Sequence, residues 1–472
     1  MSGFDARLFR QLGMTAALCG LLACSHAPSV PEDARVTAPV AWRTPTDNGP
    51  AIDSDWWRNF NDPVLQRLVD TALAHNVDIA LAAARVREAR AQEKLSRSQL
   101  FPTLDARVDA QRSRDIDAFG EPLIGNTAEP QFAAAYEVDL FGRVRDNVSA
   151  ARSNYLASDA AREATRLSVA AATTSNYITL RALDARLGVA RQTLQARNDA
   201  LNLARRRAEV GYTSTLELRQ AEAEFEAAAQ AVPQAELAVS RQENALSILI
   251  GVAPTAIECG SDLFALTQPQ VPGTIPADLL RQRPDLAQAE YTLAGTDASL
   301  AAARKQYLPQ IKLGASIGRI FNNELPDPIT VWSLGGSVLA PIFEGGRIDA
   351  QVDTALARRD QAAFNYQKTA LTAFREVEDN LAAEQKLREQ FVHAEAQRNA
   401  LAETLRVATN RYRAGYAPYL EQLDAQRGLY GAELSVIQTR ADLLNALVAL
   451  YQALGGGWDN STQTRAADTD QR

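Results

Sequence analysis

The sequence predicts a mainly α-helical chain that is internally duplicated and carries a smaller β part suited to a membrane. Three observations support this fold class. The same landmarks occur twice, about 205 residues apart. Long stretches keep a seven-residue apolar repeat, and short runs of alternating apolar and polar residues lie between these stretches.

Matched segments define two copies of one structural unit. Ala208–Glu217 corresponds to Tyr412–Glu421, and Phe101–Leu104 corresponds to Leu308–Ile311. The period is too long for a solenoid, so each copy must contain several elements of its own. We therefore expect two repeats related by pseudo-symmetry.

The first repeat, 51–250, and the second, 285–458, are each predicted to contain a helix, two strands and a long helical hairpin. The hairpins cover 143–250 and 347–454, and leucine recurs at every seventh position in the first of them. A strict heptad is typical of helices that supercoil around a neighbour. Pro233 lies in a return helix, where we expect it to bend the helix or destabilise it.

The predicted strands cover residues of about 103–112, 131–140, 310–319 and 331–340. Each is about as long as a tilted transmembrane strand, although the same alternation also fits a half-buried soluble sheet. Four strands cannot close a barrel, and open edges are not tolerated in lipid. If the strands lie in a membrane, three chains would pool 3 × 4 = 12 of them.

The N-terminus is predicted to be a secretion signal. Residues 1–23 combine a basic start with an apolar run too short to span a bilayer, which is typical of a signal peptide. The run ends in a lipobox-like segment that predicts cleavage before Cys24 and acylation of that residue. Residues 24–50 are rich in proline and read as an extended, lipidated tether, and residues 459–472 read as a disordered tail.

Composition and motifs exclude several functional classes. The net charge of −8 and the lack of a dense basic block argue against binding to nucleic acid. Gly314–Gly318 fits a nucleophile-elbow pattern, but it lies within an alternating strand rather than between a strand and a helix. No cysteine pair or histidine cluster in the sequence offers a metal site, so we expect neither enzymatic activity nor a cofactor.

Several motifs, in order, resemble those of the TolC-like outer-membrane efflux factors, in particular their lipoprotein branch. The residues that carry this resemblance are Arg283–Leu286, Pro341–Arg347, Arg411–Gly415, Leu423–Arg427 and Ala453–Trp458. The resemblance implies a homotrimer with a 12-stranded transmembrane β-barrel that continues into a long periplasmic α-helical barrel. Residues 251–284, 51–77 and the last residues would form an equatorial domain.

The resemblance also implies partners and a location. Such channels lie in the outer membrane of Gram-negative bacteria, and they act with a periplasmic adaptor protein and an inner-membrane transporter of the RND type. The hairpin turns would be the far periplasmic tips, where an adaptor docks. The residues assigned to these tips are Gly211, Thr215, Leu216, Gly415 and Tyr416.

A periplasmic aperture is assigned just after the second turn. Leu420, Asp424 and Arg427 fall on one helix face at i, i+4 and i+7, and the family places this face at the closed end of the duct. Three Asp424 side chains around a three-fold axis would repel one another. The residues themselves also allow a plain surface ion pair between Asp424 and Arg427.

Two alternatives to a small-molecule exit duct remain open from the sequence. One is a duct for protein secretion within the same family. The other is a coiled-coil envelope lipoprotein that bridges layers without conducting.

Overall fold

The computed structural model describes residues 31–45, 49–50, 52–116, 119–273, 276–323 and 326–458. The predicted signal peptide (1–23), Cys24, the start of the tether and the predicted tail (459–472) lie outside these residues.

Each repeat contains two helices, two antiparallel strands, a long helix and a shorter return helix. The first repeat comprises α1 (Pro63–His75), α2 (Val77–Ser98), β1 (Thr103–Ile116), β2 (Pro122–Val138), α3 (Arg143–Glu209) and α4 (Thr215–Leu249). The second comprises α5 (Pro276–Gln282), α6 (Pro284–Arg304), β3 (Gln310–Asn322), β4 (Ile329–Leu339), α7 (Arg347–Arg413) and α8 (Tyr419–Ala453).

The two long helices are flanked by shorter helices along their length. On the sheet side, α3 packs against α2 and α6, and α6 packs against α7, which gives the order α2–α3–α6–α7. Towards the turns the order is α4–α3–α8–α7. Both α3 and α7 have 67 residues, and at 1.5 Å per residue each is about 100 Å long.

Pro233 lies inside α4, which remains a continuous helix from Thr215 to Leu249. The proline is exposed, so its ring lies away from the packed face of the helix. Within the parts of the chain that the structure describes, no helix is both long enough and apolar enough to cross a bilayer.

The four strands form one antiparallel sheet in the order β1–β2–β3–β4. One row across the sheet is apolar and consists of Leu104, Ala134, Ala315 and Leu334. The neighbouring row, which points to the other face, consists of Asp105, Ala133, Ser316 and Ser333. Within the described residues, β1 and β4 each keep one edge without a strand partner.

The strands differ in their bounds from the sequence prediction. The largest difference is β2, which begins at Pro122 rather than at about 131. Its ladder with β1 continues through Asn126 and Thr127, where the alternation of apolar and polar residues has ended. Asp139, just after β2, accepts the backbone N–H groups of Val144 (3.1 Å) and Arg145 (2.9 Å) at the start of α3.

An apolar belt surrounds the middle of the long helices. Residues of the 52–69 segment pack with 257–266 on α3 and α8, and Leu279 and Leu286 pack on α7. Buried Asp62 ties these parts together, because its carboxylate accepts the Tyr177 hydroxyl (2.7 Å) and the Ser261 N–H (2.8 Å). Burial alone would raise the pKa of Asp62, but these and other hydrogen bonds lower it below its usual value.

Arg283 joins the second repeat to the same belt. Its side chain is almost fully buried and forms ion pairs with Asp285 (2.7 Å) and Glu376 (2.8 Å). It also donates a hydrogen bond to the backbone carbonyl of Ala453 (2.9 Å), which connects α6, α7 and the end of α8.

The described part of the tether lies along α7. The Gln367 side-chain amide donates to the carbonyl of Asp33 (2.6 Å), and the N–H of Arg43 donates to Glu378 (2.5 Å). The Trp42 ring packs against Phe374 at a centroid distance of 6.4 Å. The chain therefore follows α7 away from the sheet and towards the belt.

Candidate functional site at the helical tip

The two hairpin turns have the same backbone construction. Gly211 (φ 74°) and Gly415 (φ 80°) adopt the left-handed conformation that glycine accepts without steric cost. In each turn the next residue closes the helix end: the N–H of Tyr212 donates to Arg207 O (2.8 Å), and the N–H of Tyr416 donates to Arg411 O (2.9 Å). Both bonds are of the kind that ends a helix in a Schellman motif.

All five residues predicted for adaptor docking lie exposed at this end of the molecule. They are Gly211, Thr215, Leu216, Gly415 and Tyr416. Tyr416 is 82% exposed and Leu216 is 68% exposed, so large apolar groups face solvent at both turns.

A buried cluster joins the two hairpins just above the turns. Its members are Leu201, Ala204, Ala221, Tyr412, Tyr419 and Leu423. They come from α3 and α4 of the first repeat and from α7 and α8 of the second. This cluster therefore packs the two hairpins against each other at the tip.

The predicted aperture residues share one exposed face of α8. Leu420 is 58% exposed, and Asp424 and Arg427 are also exposed. Within the described residues Asp424 has no ion pair, whereas Arg427 binds Glu224 of α4 through its Nε (3.1 Å) and a terminal nitrogen. The surface ion pair between Asp424 and Arg427 that the sequence allowed is not formed.

Glu224 is the centre of a larger polar contact. Its other carboxylate oxygen lies 3.2 Å from Arg197 of α3, and these side chains are only 16% and 5% exposed. Arg197 also donates to the side-chain amide of Gln426, the neighbour of Arg427 on α8. We call Arg197, Glu224, Gln426 and Arg427 the tip network.

The sequence prediction missed Arg197 and Glu224. A signal for Arg197 was present, because it occupies the same heptad position as Leu183, Ala190 and Ala204. A charged residue at such a seam position requires a buried partner. Nothing local identified Glu224, since Glu224 and the two arginines that it binds belong to three different helices.

A second polar contact crosses between the hairpins closer to the turns. The Tyr412 hydroxyl donates to Glu217 (2.5 Å), and the Arg207 guanidinium lies 4.6 Å from the centre of the Tyr412 ring. Burial and the hydrogen bond to Glu217 raise the pKa of Tyr412 to about 12. Tyr412 therefore stays a neutral hydrogen-bond donor well above neutral pH.

These features together define a class of protein. A four-stranded sheet with two open edges leads into helices about 100 Å long. At the end of the helices away from the sheet, the buried cluster and the tip network hold the two hairpins together. This architecture is typical of a channel component built from long helices, and the contacts described above hold these helices together.

The chain belongs to the outer membrane efflux protein family, whose model matches residues 68–252 and 275–456. It is 34% identical over 457 residues to the antibiotic efflux pump outer membrane protein ArpC of Pseudomonas putida, covering 94% of each chain. It is 35% identical over 465 residues to the outer membrane protein OprJ of Pseudomonas aeruginosa, covering 95% of this chain and 96% of OprJ.

A solved structure shares the fold. The crystal structure of the Campylobacter jejuni CmeC outer membrane channel superposes with a TM-score of 0.86 and 27% sequence identity. The match covers 94% of this chain and 97% of CmeC. The TolC-like fold is thus confirmed, and the chain is a channel component rather than an enzyme.

Proposed function

We propose that three copies of this chain form an outer-membrane exit duct for small molecules in a tripartite efflux pump. The observation that carries this proposal is the sheet with two open edges. Pairing β4 of one copy with β1 of the next closes a 12-stranded barrel (3 × 4 = 12), which removes the edges that lipid does not tolerate. The helices below would continue this wall as an α-barrel.

The relatives favour small molecules as the exported class. ArpC is named an antibiotic efflux pump protein, and the chain aligns with it over almost its whole length. We therefore propose a periplasmic adaptor and an inner-membrane RND-type transporter as partners. The exposed apolar groups at both turns, such as Leu216 and Tyr416, would offer the adaptor a surface.

A lipid anchor at Cys24 fits the path of the tether. Gln367, which binds Asp33, is 20 residues from the start of α7, or about 30 Å of helix. The nine residues from Cys24 to Asp33 reach at most about 30 Å. Cys24 can therefore reach the level at which α7 meets the sheet, where the inner leaflet would lie.

The proposed gate is the ring of Leu420, Asp424 and Arg427 around the three-fold axis. The tip network would hold α8 against α3 and α4 and so keep this ring narrow. Opening moves α8 outward and separates Arg427 and Gln426 from their partners on the first hairpin.

Conductance across planar bilayers tests the proposal directly. Purified full-length protein should insert as discrete, uniform channels, whereas a coiled-coil lipoprotein that only bridges layers would show none. The Cys24→Ala variant should lose the mass of its acyl chains and still conduct. Leu216→Asp should lower drug export in cells that lack their own channel and leave conductance unchanged.

A further inference from the structure

Arginines interrupt the apolar stripe on the outward face of the sheet, which resumes beyond them at Ile116 and Phe321. On β1 the outward residues Leu104, Ala106, Val108 and Ala110 are followed by Arg112 and Arg114. On β3 the outward residues Ile311, Leu313, Ala315 and Ile317 are followed by Arg319. All three arginines are exposed.

The internal duplication places two of these arginines at the same position. Leu104 corresponds to Ile311, an offset of 311 − 104 = 207 residues, and the same offset maps Arg112 onto Arg319 (112 + 207 = 319). In the proposed trimer this position would occur on six of the twelve strands, at even spacing around the barrel. Arg114 adds a second cation on three of them.

The arginine on the opposite face of the sheet has an ion-pair partner. Arg107 points to the lumen side, where its Nε lies 3.0 Å from Asp109. Within the described residues, none of Arg112, Arg114 and Arg319 forms an ion pair. On the same face Arg112 pairs with Asn126 and Arg319 pairs with Thr330, which are polar, whereas Arg114 pairs with Ile124.

Height along the barrel places the arginines at the outer boundary of the hydrocarbon. A strand tilted by about 40° rises about 2.5 Å per residue. Arg112 then lies about 20 Å beyond Leu104, and Arg114 about 25 Å, which is the height of the apolar band of such barrels. The strands leave the helices at Leu104 and Ile311, so this boundary is the one away from the periplasm.

We propose that Arg112, Arg114 and Arg319 form an outward basic ring that binds the phosphate groups of outer-leaflet saccharolipid. The ring rests on the proposed trimeric barrel. Guanidinium groups bind phosphate through paired, charge-assisted hydrogen bonds, and a ring of them beside the membrane surface attracts anionic headgroups. The bound lipid would fix the depth of the barrel and seal its outer rim.

Retention of lipid A by the purified trimer tests this proposal. Native mass spectrometry would compare bis-phosphorylated lipid A with its dephosphorylated form, on the wild-type protein and on Arg112→Gln/Arg319→Gln. The double variant should retain about tenfold less bis-phosphorylated lipid than the wild type. The wild type should discriminate against the dephosphorylated lipid to a similar extent.

Two further variants complete the test. Arg107→Gln, on the same strand but on the other face, should retain lipid like the wild type. Arg112→Lys/Arg319→Lys should recover part of the binding, because the charge is kept while the paired hydrogen bonds are lost. Equal retention by the Gln double variant, or equal binding of the dephosphorylated lipid, would overturn the ring. The trimer mass and bilayer conductance of the same samples report separately on the barrel itself.

Discussion

Replacing Glu224 by Gln is expected to release the helical tip. Glu224 lies between Arg197, whose side chain is 5% exposed, and Arg427, whose side chain is 60% exposed. Removing the carboxylate charge leaves the buried Arg197 with Gln426 as its remaining partner on α8. The contact that holds α8 against the first hairpin is thereby weakened.

The expected change in free energy follows from the burial of the ion pair between Arg197 and Glu224. Breaking a buried ion pair costs roughly 3–5 kcal/mol, and we take about 2 kcal/mol here because Gln426 still binds Arg197. If the contact exists only in the closed tip, about 2 kcal/mol raises the ratio of open to closed channels about 30-fold. Arg427→Gln removes only the exposed pair, worth about 0.5 kcal/mol, or about twofold.

Single-channel recording in planar bilayers measures this ratio. The matched control is Glu226→Gln, which removes the same charge from an exposed position on the same helix. Glu224→Gln should open the channel far more often than Arg427→Gln, and Glu226→Gln should match the wild type. An open fraction for Glu224→Gln equal to that of the control, or smaller than that of Arg427→Gln, would refute the role of the tip network.

Three further predictions concern the aperture, the tip and the belt. Asp424→Ala should raise single-channel conductance because it removes the repelling carboxylates from the narrowest ring; unchanged conductance would exclude Asp424 from the gate. The raised pKa of Tyr412 stabilises the tip fully below pH 10, and this stability is lost as the pH rises through about 12. Open probability should therefore increase over that window in the wild type and stay flat in Tyr412→Phe; a flat wild-type profile would contradict this. Arg283→Gln should destabilise the protein by roughly 1–3 kcal/mol, because the partly exposed carboxylates of Asp285 and Glu376 and the Ala453 carbonyl lose their charged partner. The midpoint of thermal unfolding should fall clearly for Arg283→Gln and hardly at all for the exposed Arg375→Gln. Equal midpoints for the two variants would contradict this prediction.

The sequence predicted the helices better than the strands. The sequence predicted where α3 and α7 begin and end, because each is a proline-free stretch with a heptad repeat and a glycine near each end. The start of β2 was misplaced because Pro122–Pro130 lacks the alternation that marks a half-buried strand. That part of the strand is held by its ladder with β1, which is a tertiary contact.

The grouping of the candidate site residues was predictable only where they are close in sequence. The family resemblance assigned Leu420, Asp424 and Arg427 to an aperture, and helical spacing predicted that they share one helix face. The partner of Arg427 could not be found in this way, since Glu224 is 203 residues distant. Its position depends on how the two hairpins pack, and the heptad pattern gives the packed faces without giving the register between helices.

The number of chains in the detergent-extracted particle tests the central claim most directly. Native mass spectrometry of the purified full-length protein should give a complex of three chains, and electron microscopy of the same sample should show a long hollow cylinder. A stable single chain that keeps its four strands would mean that the sheet edges need no neighbour. In that case neither the barrel nor the gate at the helical tip could exist as described.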